Sequence, residues 1–267
     1  MSASEAPTPA SPAPGGTIPA PATVQAPSLT RSYGRAADQM RPAKLTRDIM
    51  KNADGSCLAE FGDTRVICTA TVEEGVPAWR KGSRAGWVSA EYAMLPASTS
   101  TRSRREYKGR KGRSMEIERL IGRSLRAVVD LHRLGELTVI CDCDVIQADG
   151  GTRTASITGA WVALHDALMA SVDAGRLARL PLTGQVAAIS MGMVDGSLLL
   201  DLDYPEDSRA QVDMNLVGTD AGGIVEVQGT GERSTIDRAQ LNALLDLGQV
   251  GIGRLVALQN QVTGFQE

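Results

Sequence analysis

Aromatic residues make up only 3% of this 267-residue chain, histidine occurs twice and cysteine four times. So few aromatics leave no rich platform for stacking bases and require a mainly aliphatic core. His132 and His165 are too few for a histidine metal cluster or a Ser-His-Asp triad. Both suit structural places, one near a helix end and the other on a helix flank. Cys57, Cys68, Cys141 and Cys143 lie in strand-like segments without CxxC spacing, so buried free thiols in a reducing compartment are expected, not a zinc site. The chain does not start with charge followed by an unbroken apolar run, and no arginine precedes Arg31, which argues against a secretory or organelle-targeting segment. No later stretch shows the uninterrupted apolar length needed to span a bilayer. A cytoplasmic protein is expected.

What is present begins with 42% apolar residues, enough for one sizeable core or two small ones. Residues 1 to about 30 hold seven of the twelve prolines amid Ala, Ser and Thr, with no periodic apolar pattern, and read as a disordered tail. The folded part is expected over 31–267. The net charge of -3 is unevenly spread. Between Arg102 and Arg133 eleven Lys or Arg face four acids, whereas between Asp201 and Asp246 ten acids face three arginines. The local basic surface is the part that would draw a polyanion.

Strand-like runs at Cys57–Phe61 and Arg65–Val72 flank a Gly62-Asp63 turn, and another strand fits Gly86–Tyr92. Pro96 to Arg113 is polar and basic and reads as an exposed, mobile loop. From Met115 to about Leu131 the pattern is helical, with Ile117, Leu120, Ile121, Leu125 and Val128 on one face and Arg119, Arg123 and Arg126 on the other. That arginine stripe fits a solvated face and also a nucleic-acid channel wall. A strand over Leu137–Ile146 leads into a second helix with an Ile157, Trp161, Leu164, Leu168 stripe. Hairpins follow, across Asp195-Gly196 and around Asp220, and Ser234-Thr-Ile-Asp237 reads as a capping box opening a leucine-rich last helix. Hairpins in runs separated by helices give an α+β class: mixed β-sheets packed with helices.

The chemistry centres on Gln147-Ala-Asp-Gly-Gly-Thr-Arg-Thr-Ala-Ser-Ile-Thr-Gly159. Glycines let backbone N–H groups approach a ligand, a helix N-terminus adds partial positive charge, and Arg153 offers a planar fork matched to phosphate oxygens. Taken alone, the same residues also describe a tight turn with an arginine in solvent. Arg113, after a glycine and just before a helix start, is a second cation the backbone can aim. Asp207 and Asp213 follow a strand end and can converge on one hard cation, or stand as ordinary surface acids. Asp142 and Asp144 are further candidates, or, lying inside a strand, simply cap loops or pair with arginine.

Ordered segments along most of the chain carry a resemblance. Met40-Arg-Pro42, Glu60-Phe-Gly-Asp-Thr64, Glu73-Glu-Gly-Val-Pro77, Ala90-Glu-Tyr92, Met94-Leu-Pro96, Arg113 to Leu120, Cys143 to Ala155, Glu206-Asp-Ser208 and Asp213-Met-Asn215 resemble the ribonuclease PH family. These are bacterial phosphate-dependent 3′-to-5′ exoribonucleases that trim transfer-RNA precursors. One departure is Ala97, where many members carry an arginine. The resemblance implies a single ribonuclease PH-type catalytic domain over 31–267, acting on transfer-RNA precursors and other structured RNA such as ribosomal RNA. It implies inorganic phosphate as co-substrate, bound by Arg113, Gly151, Thr152 and Arg153. It also implies that Asp207 and Asp213 are catalytic and hold magnesium, that Arg102, Arg104, Arg105, Arg119, Arg123 and Arg126 lie near RNA or a subunit interface, and that the chain forms a homohexamer, a trimer of dimers. A non-catalytic RNA-binding ring subunit and a hydrolytic nuclease are the competing expectations.

Overall fold

A computed structural model describes residues 30–106 and 112–265. The expected tail, but for Thr30, and part of the expected mobile loop lie outside the described residues. One sheet has the order β1-β2-β3-β5-β4, from β1 (Ala43–Arg47), β2 (Gly55–Phe61), β3 (Thr64–Glu74), β4 (Trp87–Met94) and β5 (Leu137–Gln147). Only the β4–β5 pair is parallel. The second sheet is antiparallel, with the order β7-β6-β8-β9, from β6 (Val186–Val194), β7 (Ser197–Leu200), β8 (Val212–Thr219) and β9 (Ile224–Gly231). The helices are α1 (Gly112–Arg126), α2 (Leu131–Leu134), α3 (Thr152–Asp173), α4 (Tyr204–Asp207) and α5 (Arg238–Thr263). The expected α+β class of mixed sheets packed with helices is what forms.

The apolar surface of α3 runs almost all round it, which is the pattern of a helix buried on every side. It packs against β2 and β3 of the first sheet and β6 of the second, with Ile157, Trp161, Leu164 and Leu168 fully enclosed. A side chain at Gly159 would put its Cβ 2.8 Å from Ala59 Cβ and Cys68 Sγ, so the bare backbone sets how closely α3 meets the sheet. The four cysteines are free and buried, and burial pushes the Cys57 thiol up to about 12. His165 is buried beside Trp161 and bonded to Asp166, a packing role.

Several expectations shift. The helix expected to run to Leu131 ends at Arg126, with α2 following separately. Asp207 and Asp213, expected after a strand end, lie on a short helix and within β8, because β7 stops at Leu200 and the chain turns into α4. The capping box of α5 is Asp237 with Gln240, not one opened by Ser234, because the chain only becomes helical at Arg238. The edge strand β1 was not anticipated. By length and composition α5 is apolar enough to cross a membrane, against the expectation of no such segment. In the fold one face, including Leu244, Ile252 and Leu255, packs on the second sheet, β1 and α3.

A buried ion network ties the segment before β1 to the turn after β7. Arg41, 1% exposed, holds Asp201, 0% exposed, through Nη2 to Oδ1 at 2.7 Å and Nε to Oδ2 at 3.0 Å. Its Nη1 donates to the Asp149 carbonyl and its Nη2 reaches that of Gly150 at 3.5 Å. Arg31 grips Glu206 at 2.6 and 3.1 Å, and Arg35 contacts Asp201, Asp203 and Glu206. Asp203 and Glu206 form the capping box of α4, so a helix of four residues is held from outside. Removing one partner of a buried pair strands the other charge, at about 3–5 kcal/mol, whereas an exposed pair contributes about 0–1 kcal/mol. Arg41→Ala is therefore expected to lower unfolding free energy by about 3–5 kcal/mol in urea titrations. Arg65→Ala, which loses the exposed contact to Glu60 at 3.3 Å, should change it by under about 1 kcal/mol. Equal losses would contradict the role of the network.

Candidate active site

At the junction of the two sheets lies a cavity of about 600 Å3, lined by Arg113, Gly151, Thr152, Arg153, Asp207 and Asp213 together with Tyr204, Ser190, Asn215 and Thr99–Thr101. All six residues expected to bind phosphate or act in catalysis thus line one space, although they come from α1, the β5–α3 corner, α4 and β8.

The corner is set by local backbone. Gly150 and Gly151 have φ of 76° and 64°, the left-handed region that favours glycine, and let β5 turn directly into α3. Gly151 is the N-cap of α3 and supplies no side-chain cap, so the first amides of a 22-residue helix open toward the cavity without a capping oxygen. Thr64 fixes the corner from the neighbouring strand: its Oγ1 donates to the Gly150 carbonyl at 2.6 Å and accepts from the Asp149 amide at 2.9 Å. Thr152 Oγ1 lies 2.9 Å from the hydroxyl of Tyr92, a buried group on β4.

Two cations meet two acids here. Arg153 Nη1 donates to Gln228 Oε1 at 2.8 Å and lies 3.7 Å from Glu116 Oε1. Arg113, in the first turn of α1, has no ion-pair partner among the described residues. Burial raises the Asp213 carboxyl to about 6, and the nearby Asp207 charge pushes the same way against Arg153 and Arg113. Burial, then Glu232, raises Asp207, again opposed by the two arginines. The described residues include no group of three or more His, Cys, Asp or Glu able to hold a metal by themselves. The donor set of Asp207 and Asp213 fits a cation that completes its shell with phosphate oxygens and water, which is how magnesium is commonly bound.

The arginines expected near RNA do not share one environment. Arg104 and Arg105 line a neighbouring cleft with Arg113, Asp142 and Asp144, and the Arg105 charge partly opposes the upward pull of burial on Asp144. Arg102 and Arg119 are exposed. Arg123 pairs with Glu226 through contacts of 2.8 to 3.0 Å. Arg126 lies 4.1 Å from the Trp87 ring centroid and donates to the Val88 carbonyl at 2.7 Å. Those last two have protein partners that helical periodicity could not disclose. Tyr92, Ser190 and Gln228 were missed as site neighbours. Tyr92 and Asn215 lay within the quoted motifs, which was the only available signal.

Residues 39–170 match the model for domain 1 of the 3′ exoribonuclease family, and residues 184–251 match that for domain 2. The chain belongs to the ribonuclease PH family. It is 57% identical over 240 residues to ribonuclease PH of Corynebacterium glutamicum, covering 89% of this chain and 98% of that relative. The fold is shared with rice (Oryza sativa) Rrp46, at a TM-score of 0.71 and 19% identity over 87% of this chain and 99% of that one. It is also shared with a chain of an Archaeoglobus fulgidus exosome, at a TM-score of 0.73 and 22% identity over 84% and 91% of the two chains.

The acid pair carries a stability consequence. With the folded Asp213 near 6 and an ordinary carboxyl near 3.8, the folded state binds the extra proton between these values. Stability contributed by this group is therefore lost as pH rises through that window. Asp213→Asn is expected to be more stable than the parent at pH 8, without divalent cations, by about 1–2 kcal/mol, with the difference vanishing toward pH 4. A variant less stable than the parent at pH 8 would contradict the cost of burying the Asp213 carboxylate beside Asp207.

Proposed function

We propose that this chain is a phosphorolytic 3′-to-5′ exoribonuclease that removes 3′-terminal nucleotides from transfer-RNA precursors and other structured RNA such as ribosomal RNA. The observation that carries the site assignment is the convergence of Arg113, the Gly151–Arg153 corner, Asp207 and Asp213 on one cavity. Inorganic phosphate is the co-substrate. Its oxygen attacks the phosphorus of the last linkage, the bond to the 3′ oxygen breaks, and a nucleoside 5′-diphosphate leaves a shortened RNA ending in a 3′ hydroxyl. The reverse addition uses the same groups.

Arg113, Arg153 and the amides of the α3 N-terminus orient the attacking anion and offset its repulsion with the RNA phosphodiester. Positioning and electrostatic stabilisation of this kind are the main protein contributions to phosphoryl-type transfer. Asp207 and Asp213 would hold magnesium, which when bound supplies neutralisation of developing negative charge. Arg102, Arg104, Arg105 and Arg119 are proposed RNA contacts, supported by their exposure or by the cleft next to the site. Residues 31–267 act as one catalytic unit, supported by the packing of α3 on both sheets. A cytoplasmic location is supported by the four unpaired cysteines.

The exosome structures that share this fold motivate the proposal of a ring, here a homohexamer built as a trimer of dimers. A non-catalytic ring subunit is less favoured because both the phosphate corner and the acid pair are present.

Incubation with a 3′-extended transfer RNA, magnesium and labelled inorganic phosphate is expected to yield labelled nucleoside diphosphate. Arg153→Ala should abolish that label while retaining the parent circular-dichroism spectrum. Unlabelled monophosphates would establish a hydrolytic nuclease, and no product at all a non-catalytic subunit.

A further inference from the structure

Arg153 is held by an amide although carboxylates are at hand. Gln228, on β9, accepts from Arg153 Nη1 at 2.8 Å through Oε1, while its Nε2 donates to Glu226 Oε1 at 3.2 Å and Glu116 Oε1 at 3.3 Å. The guanidinium can only donate and the carboxylates only accept, so these neighbours fix the orientation of the amide. Glu226 and Gln228 are two apart on β9 and so share a face of the strand. Glu226 is engaged by Arg123 through Nε and Nη2, and Glu116 stands 3.7 Å from Arg153, beyond hydrogen-bond length.

We propose that Gln228 is a positioning residue for the phosphate step: it fixes the direction of the Arg153 guanidinium without cancelling its charge, and Arg123 supports it by occupying Glu226. A carboxylate at the same place would fix Arg153 equally well but neutralise it and repel an incoming anion. An apolar side chain would leave the guanidinium free to swing onto Glu116. The neutral amide satisfies one cation and two anions at once and leaves the positive charge of Arg153 for phosphate. This rests on the reading of Arg153 as a phosphate ligand.

The test is steady-state phosphorolysis by the full chain, with the inorganic phosphate and RNA concentrations varied separately and Tm recorded for each variant. Gln228→Ala is expected to raise the phosphate KM roughly tenfold, the loss of about one charge-assisted hydrogen bond, with the RNA KM and Tm close to the parent's. Gln228→Glu should raise the phosphate KM at least as much near pH 8 and recover part of the loss as pH falls and the new carboxyl protonates. Packing alone would produce no such recovery. Arg123→Ala should raise the phosphate KM, because Glu226 is then free to compete for Arg153. An unchanged phosphate KM in Gln228→Ala, or a lowered Tm and kcat with that KM unmoved, would overturn the proposal. A rise in the RNA KM alone in Arg123→Ala would overturn the supporting role of Arg123. If the parent itself showed no phosphate dependence, or Arg153→Ala kept the parent's phosphate KM, the underlying reading would fail instead.

Discussion

The buried pair between Arg41 and Asp201 is the constraint on which the site depends. Asp201 begins the turn that leads into α4, and Arg41 also reaches the Asp149 and Gly150 carbonyls at the β5–α3 corner. One guanidinium therefore touches both walls of the cavity, the wall proposed to hold phosphate and the wall that carries Asp207. Arg31 and Arg35 add grips on Glu206 and Asp203. Burying this much charge is costly unless every member is paired, and here the reward is geometric: two short, irregular segments without helical or sheet stability of their own are held in fixed relation.

Beyond that clamp the site is built from opposed charges placed so as not to cancel. Burial raises the proton affinity of both Asp207 and Asp213, the Asp207 charge adds to the rise at Asp213 and Glu232 to that at Asp207, while Arg113 and Arg153 pull the other way. Arg113 has no acidic partner among the described residues and Arg153 leans on an amide, so both keep positive charge for an anion. Among the described residues Asp207 and Asp213 share no close guanidinium contact and keep negative charge for a cation. An arrangement of this kind destabilises the empty fold, as functional sites often do.

Much of this was legible in the chain, for identifiable reasons. Gly62-Asp63 and Asp195-Gly196 named their hairpins because those turns need residues that tolerate a positive φ. The phosphate corner was legible because two glycines, a threonine and an arginine at a strand-to-helix junction have a direct chemical reading, and the ordered motifs singled out the same residues. The clamp was not, because Arg41 and Asp201 are 160 residues apart and neither is unusual locally. The fate of Arg123 and Arg126 was hidden for the same reason. Periodicity places them on a polar helix face but cannot reveal that Glu226, 103 residues beyond Arg123, or Trp87 lies opposite. The four-residue α4 fell below any periodic signal, since its stability comes from the arginines that hold its capping box.

The most direct measurement is a crystal structure of the protein soaked in tungstate, an electron-dense analogue of phosphate, with the anion located by its anomalous signal. A peak in contact with Arg113, Thr152 and Arg153, on the side of the cavity facing Asp207 and Asp213, is the predicted result. An anion bound elsewhere while that corner stays empty would contradict the assignment of the attacking phosphate to the α3 N-terminus.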